Sequence, residues 1–262
     1  MDEKARERYI SELEEKIVDL TFKLKSAKNE LNESSESNLK VISKLAHNLK
    51  NPIGLIVSFS EIISEDIESG STEKLSKYME IIQNSAKFSL EIINSSAKIT
   101  QLKSGKKFNF SLKNYIEVIE KVISKYRAEA LKKHIEIKKI IPEKAISVLI
   151  EEEEMMRALG NVIDNAIRFS DENSTITITV SENKNTLETT IADEGLGISE
   201  ENLSKVFYEF FVVNTYSANK QKCVGLGLSI ANEIVKSHHG EISVLSTLEK
   251  GSEFKITLPK EP

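Results

Sequence analysis

Three polar side chains repeat along one helical stretch, Met156–Ser170: Asn161, Asn165 and Arg168. At 3.6 residues per turn they share one side, while Met156, Leu159, Ile163, Ala166 and Ile167 share the other. Two amides one turn apart, followed by a cation, suit a metal ion and its phosphates. An amide carbonyl oxygen is a hard ligand, and Mg²⁺ at a nucleotide takes few protein ligands. Asp193-Glu194-Gly195-Leu196-Gly197 follows a predicted strand. Its Asp193 carboxylate can accept the amino N–H of adenine, and Gly195 and Gly197 let backbone approach a ring closely. Gly225-Leu226-Gly227-Leu228 runs directly into a predicted helix, Leu228–Ser237, whose free N–H groups favour phosphate. No Gly-Lys-Ser/Thr follows, so this is not a Walker-type loop. His47 lies between Leu45 and Leu49 and should point off an apolar seam, where an imidazole can attack a phosphoryl group. Taken singly, each feature is common on solvated helices and in tight turns.

The elements that must position these residues change class along the chain. Ile10, Leu13, Ile17, Leu20, Leu24, Ala27 and Leu31 step by alternating threes and fours between charged flanks. That heptad seam is too narrow to fold alone and implies a partner helix, most simply from a second copy. The seam lapses at Asn32–Asn38. From Leu39 a wider stripe runs through Val41, Ile42, Leu45, Leu49, Ile53, Ile56, Phe59 and Ile63, interrupted by Pro52, which should kink or loosen the helix. After a turn at Glu68–Glu73, a second stripe runs from Leu75 to Leu102. Two long helices joined by a short turn form an antiparallel hairpin, and two such hairpins would bury both stripes as a four-helix bundle. Ser104–Lys107 reads as a linker.

Beyond it, strands and helices alternate. Strands are expected at Phe108 and Phe110, Ile135–Ile137, Ile146–Val148, Thr175–Val180, Leu187–Ala192, Glu241–Leu248 and Ser252–Leu258, with helices at Tyr115–Leu131 and Ser199–Phe207. The expected fold class is therefore α followed by α/β: a coiled coil (1–38), a dimerising helical hairpin (39–104), and an α/β sandwich (108–262) of one mixed sheet with helices on one face. Phe207–Phe211 and the polar run Asn214–Lys222 lie between the two glycine turns, and the run is expected to form a mobile lid.

Composition narrows the classes. Across 262 residues the net charge is −5, which gives no reason to expect nucleic acid. Cys223 is the single cysteine, so an intrachain disulfide is excluded and a reducing compartment fits. Cys223 with His238 and His239 lacks a zinc spacing, so no structural metal is expected. No apolar run approaches the ~18 residues a membrane span needs. The expected location is cytoplasmic, with no signal peptide and no membrane contact within this chain.

In this order and spacing, the pieces resemble the core of a two-component sensor histidine kinase over roughly residues 39–260. His47-Asn48-Leu49-Lys50-Asn51-Pro52 is similar to the family's phospho-acceptor motif, and Asn161–Ala166 with Arg168 and Phe169 to its N box. Asp193-x-Gly195-x-Gly197, Phe207–Phe211 and Gly225-Leu226-Gly227-Leu228 resemble the first glycine box, the aromatic box and the second glycine box. The resemblance implies an ATP-binding domain of the gyrase–Hsp90–histidine kinase–MutL type with ATP and Mg²⁺ as cofactors. Asn165 would ligate the metal with Asn161 beside it. Arg168 would contact phosphate where the family usually has Lys, Phe169 would pack on adenine, and Asp193 would bond its amino group. His47 would take the γ-phosphoryl group and pass it to an aspartate on a response-regulator receiver domain. Asn51 would orient the water that later removes it from that receiver.

Two positions depart from the family. Asn48 stands where an acidic residue usually takes the imidazole proton, and Cys223-Val224 where the second glycine box usually has Gly and Thr. Two alternatives therefore stand beside the kinase: a nucleotide-binding dimeric scaffold or phosphatase-biased pseudokinase, and a conformational ATPase. The His47 hairpin and the lack of an acidic residue at Asn161 speak against the ATPase.

Overall fold

Alternation in the strands sorts one sheet face inward. Ile176, Ile178 and Val180, then Leu187, Thr189 and Ile191, then Phe254, Ile256 and Leu258 are all buried, while their neighbours in sequence are more open. The computed structural model describes residues 39, 41–68, 73–213 and 223–260. The expected coiled coil and the lid run Asn214–Lys222 lie outside the described residues. The chain divides into two units, Met1–Lys50 and Asn51–Pro262. In the first, residues 41–50 are helical.

In the second unit, helix α1 (51–68) and helix α2 (Leu75–Lys103) pair through Phe59 and Tyr78, whose ring centroids lie 5.3 Å apart. Both helices keep apolar side chains on the surface, among them Val57, Ile67, Leu90 and Ile93. The remaining elements are β1 (Ser111–Asn114), α3 (Tyr115–Lys132), β2 (Glu136–Ile140), β3 (Ser147–Ile150), α4 (Glu152–Phe169), β4 (Thr175–Glu182), β5 (Thr186–Asp193), α5 (Glu200–Leu203), α6 (Gly227–Ser237), β6 (Glu241–Ser246) and β7 (Ser252–Pro259). The main sheet has the order β2-β4-β5-β7-β6, parallel between β2 and β4 and antiparallel elsewhere. Helices α3, α4 and α6 pack on its inward face, with α4 between the other two. A helical region followed by an α/β sheet domain is the expected fold class.

Several elements differ from expectation. Strand β3 does not join the main sheet; it pairs with β1 as a separate antiparallel ribbon. Phe108 and Phe110 precede β1 rather than forming it. Their rings stack 5.7 Å apart and sit edge-on to His238, at 5.4 and 5.1 Å, so the aromatic alternation is spent on a ring cluster, not a ladder. The helix expected over Ser199–Phe207 closes after Leu203, and the chain continues in turns linked by Lys205 N–H to Asn202 O and Tyr208 N–H to Lys205 O. Helix α4 begins four residues before Met156, and Met155 rather than Met156 enters the core.

Helix α2 packs against α6 and is tied to α4 by charge. Glu154 is buried at the start of α4, where Lys98 of α2 and Lys106 both donate to its Oε1, the latter at 2.6 Å. Burial opposes its ionisation, yet the two lysines outweigh this and leave its pKa below the usual carboxylate range.

His238 packs at this same end of α4. The Glu151 N–H donates to its Nε2 at 3.1 Å, so Nδ1 carries the proton and donates to the Ile234 carbonyl at 2.7 Å. Burial holds its pKa below the ordinary 6.5. The unfolded chain therefore binds a proton that the folded chain refuses. This contribution to stability is complete above about pH 6.5 and is lost as pH falls through the folded value. Denaturant unfolding is expected to weaken between pH 7 and about pH 5.5, with a smaller slope in His238→Gln. An identical slope in the variant would assign the pH dependence to other groups.

Candidate functional site

Helix α4 has two chemical faces. Ala158, Leu159, Val162, Ile163 and Ala166 are buried in the core, and this fixes the rotation of the helix. The opposite side turns Asn161, Asp164, Asn165, Arg168 and Phe169 into one cavity. Asp193, Gly197, Gly225, Leu226 and Gly227 line the same cavity. Nine of the thirteen sequence-derived site residues therefore meet there. Gly195 does not line it, and neither do His47, Asn48 and Asn51. His47 is exposed and Asn48 half-buried in the helix of the first unit; Asn51 is exposed at the start of α1.

The cavity walls hold each other. Asn161 Nδ2 donates to the Gly227 carbonyl at 3.0 Å, tying α4 to the start of α6. That start follows Gly225, whose φ of +73° and 2.6 Å clearance from Phe211 O admit no side chain. Asp193 Oδ1 accepts from the Gly195 N–H at 2.9 Å and the Ser252 N–H at 3.1 Å. Both bonds end on Oδ1, and among the described residues none ends on Oδ2. Burial raises the Asp193 pKa, and the two N–H donors oppose that rise. Gly195 is needed for a protein contact: a Cβ there would lie 2.4 Å from Phe169 O. The Leu196 N–H donates to that same carbonyl at 3.2 Å, joining the turn to the end of α4.

Charge in the cavity is unbalanced. Among the described lining residues the cavity holds three carboxylates, Glu91, Asp164 and Asp193, and one guanidinium, Arg168. Arg168 Nε lies 2.7 Å from Asp164, and its Nη2 lies 3.8 Å from Glu91. Burial works against the Arg168 charge, but Asp164 and Glu91 outweigh it and raise its pKa. Burial pushes the Cys223 thiol up, with Arg168 opposing.

Sequence patterns did not single out several contributors. Glu91 and Ser95 reach the cavity from α2, and Ser252 and Phe254 from β7. Lys133 is buried outside it, with Nζ donating to the carbonyls of Ile167 at 2.8 Å and Ser170 at 2.7 Å. A cation at a helix C-terminus meets both the free carbonyls and the negative dipole end. Among the described residues no group of three or more His, Cys, Asp or Glu side chains could hold a metal, and no helix is long and apolar enough to cross a membrane.

The chain is similar to several known proteins. Residues 150–262 match the family described as histidine kinase-, DNA gyrase B-, and HSP90-like ATPase. The chain is 31% identical to the sensor protein KdpD of Clostridium acetobutylicum over 87% of its own length, and spans 25% of that relative. It is 27% identical to the histidine protein kinase SaeS of Staphylococcus aureus, covering 96% of this chain and 72% of the relative. Among solved structures, the histidine kinase ThkA in complex with the response regulator TrrA aligns at a TM-score of 0.70 and 25% identity, covering 84% of this chain and 61% of that one.

Asn165 presents the one amide of the α4 row for which no hydrogen bond is committed among the described residues. Calorimetry on Asn165→Ala is expected to show at least a tenfold loss of MgATP affinity, about 1.4 kcal/mol. Unchanged affinity would remove Asn165 from the site.

Proposed function

We propose a phosphotransfer function on one premise: the chain belongs to the two-component histidine kinase family. It binds MgATP along α4, transfers the γ-phosphoryl group to His47, and hands it on to an aspartate of a receiver domain. The convergence of Asn161, Asn165, Arg168 and Asp193 on one cavity, beside the glycine turn that opens α6, supports this most directly. Asp193 Oδ2 accepts the adenine amino N–H, and Phe169 packs on the ring. Arg168 and the N–H groups from Gly225 to Gly227 face the phosphates. Asn165 offers its carbonyl oxygen to Mg²⁺, with Asn161 beside it. Mg²⁺, when bound, offsets phosphate charge during transfer. A single amide ligand fits a metal that arrives with the triphosphate and keeps its waters.

In the transfer, the unprotonated ring nitrogen of His47 forms the N–P bond. The bond from the γ-phosphorus to the bridging oxygen breaks, and its electron pair leaves with ADP. The proton on the other ring nitrogen passes to solvent or to a base. Asn48 can accept that hydrogen bond but cannot take the proton. General-base assistance is typically worth ~10²–10⁴-fold, so autophosphorylation is slow. Asn51, four residues on, holds a water against the phosphorylated receiver, so dephosphorylation suffers less. Asn48, together with Val224 in the second glycine turn, favours one alternative, a dimeric nucleotide-binding scaffold weighted toward phosphatase activity.

The exposed apolar faces of α1 and α2, and the heptad seam of residues 10–31, support a parallel homodimer. The complex in which ThkA was solved supports a response-regulator partner. We place the domain in the cytoplasm, where ATP and receivers are found. Sedimentation at micromolar concentration is expected to give twice the chain mass; a monomer would remove both the seam and the bundle.

Incubation with γ-labelled MgATP is expected to label the protein with an acid-labile, base-stable phosphoramidate, absent in His47→Gln. Asn48→Asp should label faster at unchanged MgATP affinity. Acid-stable label, or label that persists without His47, would contradict the transfer. An unaltered rate in Asn48→Asp would show that the proton leaves by another route.

A further inference from the structure

Helix α2 contributes to the cavity from outside the sheet domain. Glu91 and Ser95 lie one turn apart on α2, and both line the same walls as Asn165 and Arg168. Glu91 approaches Arg168 Nη2 to 3.8 Å, whereas Asp164 meets Nε. Arg168 is the only cation among the described lining residues, and it already faces two carboxylates. A phosphate group that needs Arg168 must therefore displace one of them or share with it. Asp164 is the harder to displace: it lies on the same helix one turn away, with an Nε–Oδ2 distance of 2.7 Å. Glu91 is longer-range, more exposed, and carried by a different helix.

We propose that Glu91 is a charge-setting residue of the nucleotide site: its carboxylate competes with the ligand's phosphates for Arg168 and lowers affinity for anionic nucleotides. This rests on the MgATP function proposed above. The effect has two parts of the same sign. Glu91 holds the guanidinium away from a ligand, and its own charge repels that ligand. Burial raises the Glu91 pKa, with Arg168 opposing that rise and Asp164 adding to it. Competition is reciprocal, so bound phosphate also loosens the contact between α2 and Arg168. The position of α2 then sets how tightly nucleotide binds.

The test is calorimetric titration of the full chain with MgATP and with adenosine. Glu91→Gln keeps the size and removes the charge. It is expected to bind MgATP about tenfold more tightly at low salt, with the gain shrinking at about 0.5 M salt and absent for adenosine, which has no phosphate. Glu91→Asp, which keeps the charge on a shorter stem, is expected to gain less. Weaker or equal MgATP binding by Glu91→Gln would overturn the proposal and make Glu91 an aid to Arg168 orientation or a bystander. An equal gain for adenosine would also overturn it, by pointing to packing. If neither wild type nor variant binds MgATP, the nucleotide site itself fails, and this inference with it.

Discussion

The carbonyl end of α4 is held by a buried ammonium group. Lys133 Nζ donates to Ile167 O and Ser170 O, and the backbone carbonyl of Lys133 accepts from the Asn173 N–H at 3.2 Å. These bonds fix the chain as it leaves the helix, and with it the Phe169 carbonyl that meets Leu196 and crowds Gly195. Gly195 in turn places the N–H that, with Ser252, holds Asp193 Oδ1. The wall of the cavity from Phe169 to Asp193 is thus a chain of backbone bonds that starts at one side chain. Removing a donor from such a buried network leaves carbonyls unsatisfied, at roughly 1–3 kcal/mol each.

The other end of the cavity is polar for a different reason. The inward face of α4 is buried against α3, α6 and the sheet, so its remaining side chains must face outward or into the cleft. Asn161 spends its amide N–H on Gly227, and Asp164 pairs with Arg168. Three carboxylates against one guanidinium among the described lining residues make a poor site for a bare anion. They suit a ligand that brings its own divalent cation, which is why the MgATP proposal places so little of the metal's coordination on the protein.

Much of this was legible in the sequence where periodicity is local. The face of α4, the alternation in β4, β5 and β7, and the turns at Gly195–Gly197 and Gly225–Gly227 all follow from neighbouring residues. What escaped depends on contacts between distant positions. Phe108 and Phe110 alternate like a strand but pack on His238, whose own role had no sequence signal. Strand β3 reads like any other strand, and its pairing with β1 rather than the main sheet is a tertiary choice. Glu91 sits on an ordinary polar helix position until α2 packs beside α6 and brings it to Arg168. Lys133 is one lysine in Lys132-Lys133, and only burial separates it from its neighbour.

A crystal structure of the chain with Mg²⁺ and a non-hydrolysable ATP analogue tests the central claim most directly. The account predicts the adenine amino group on Asp193 Oδ2, the metal on the Asn165 side-chain oxygen, and the triphosphate between Arg168 and the first turn of α6. A nucleotide bound with its base away from Asp193, or with the metal held without Asn165, would contradict it.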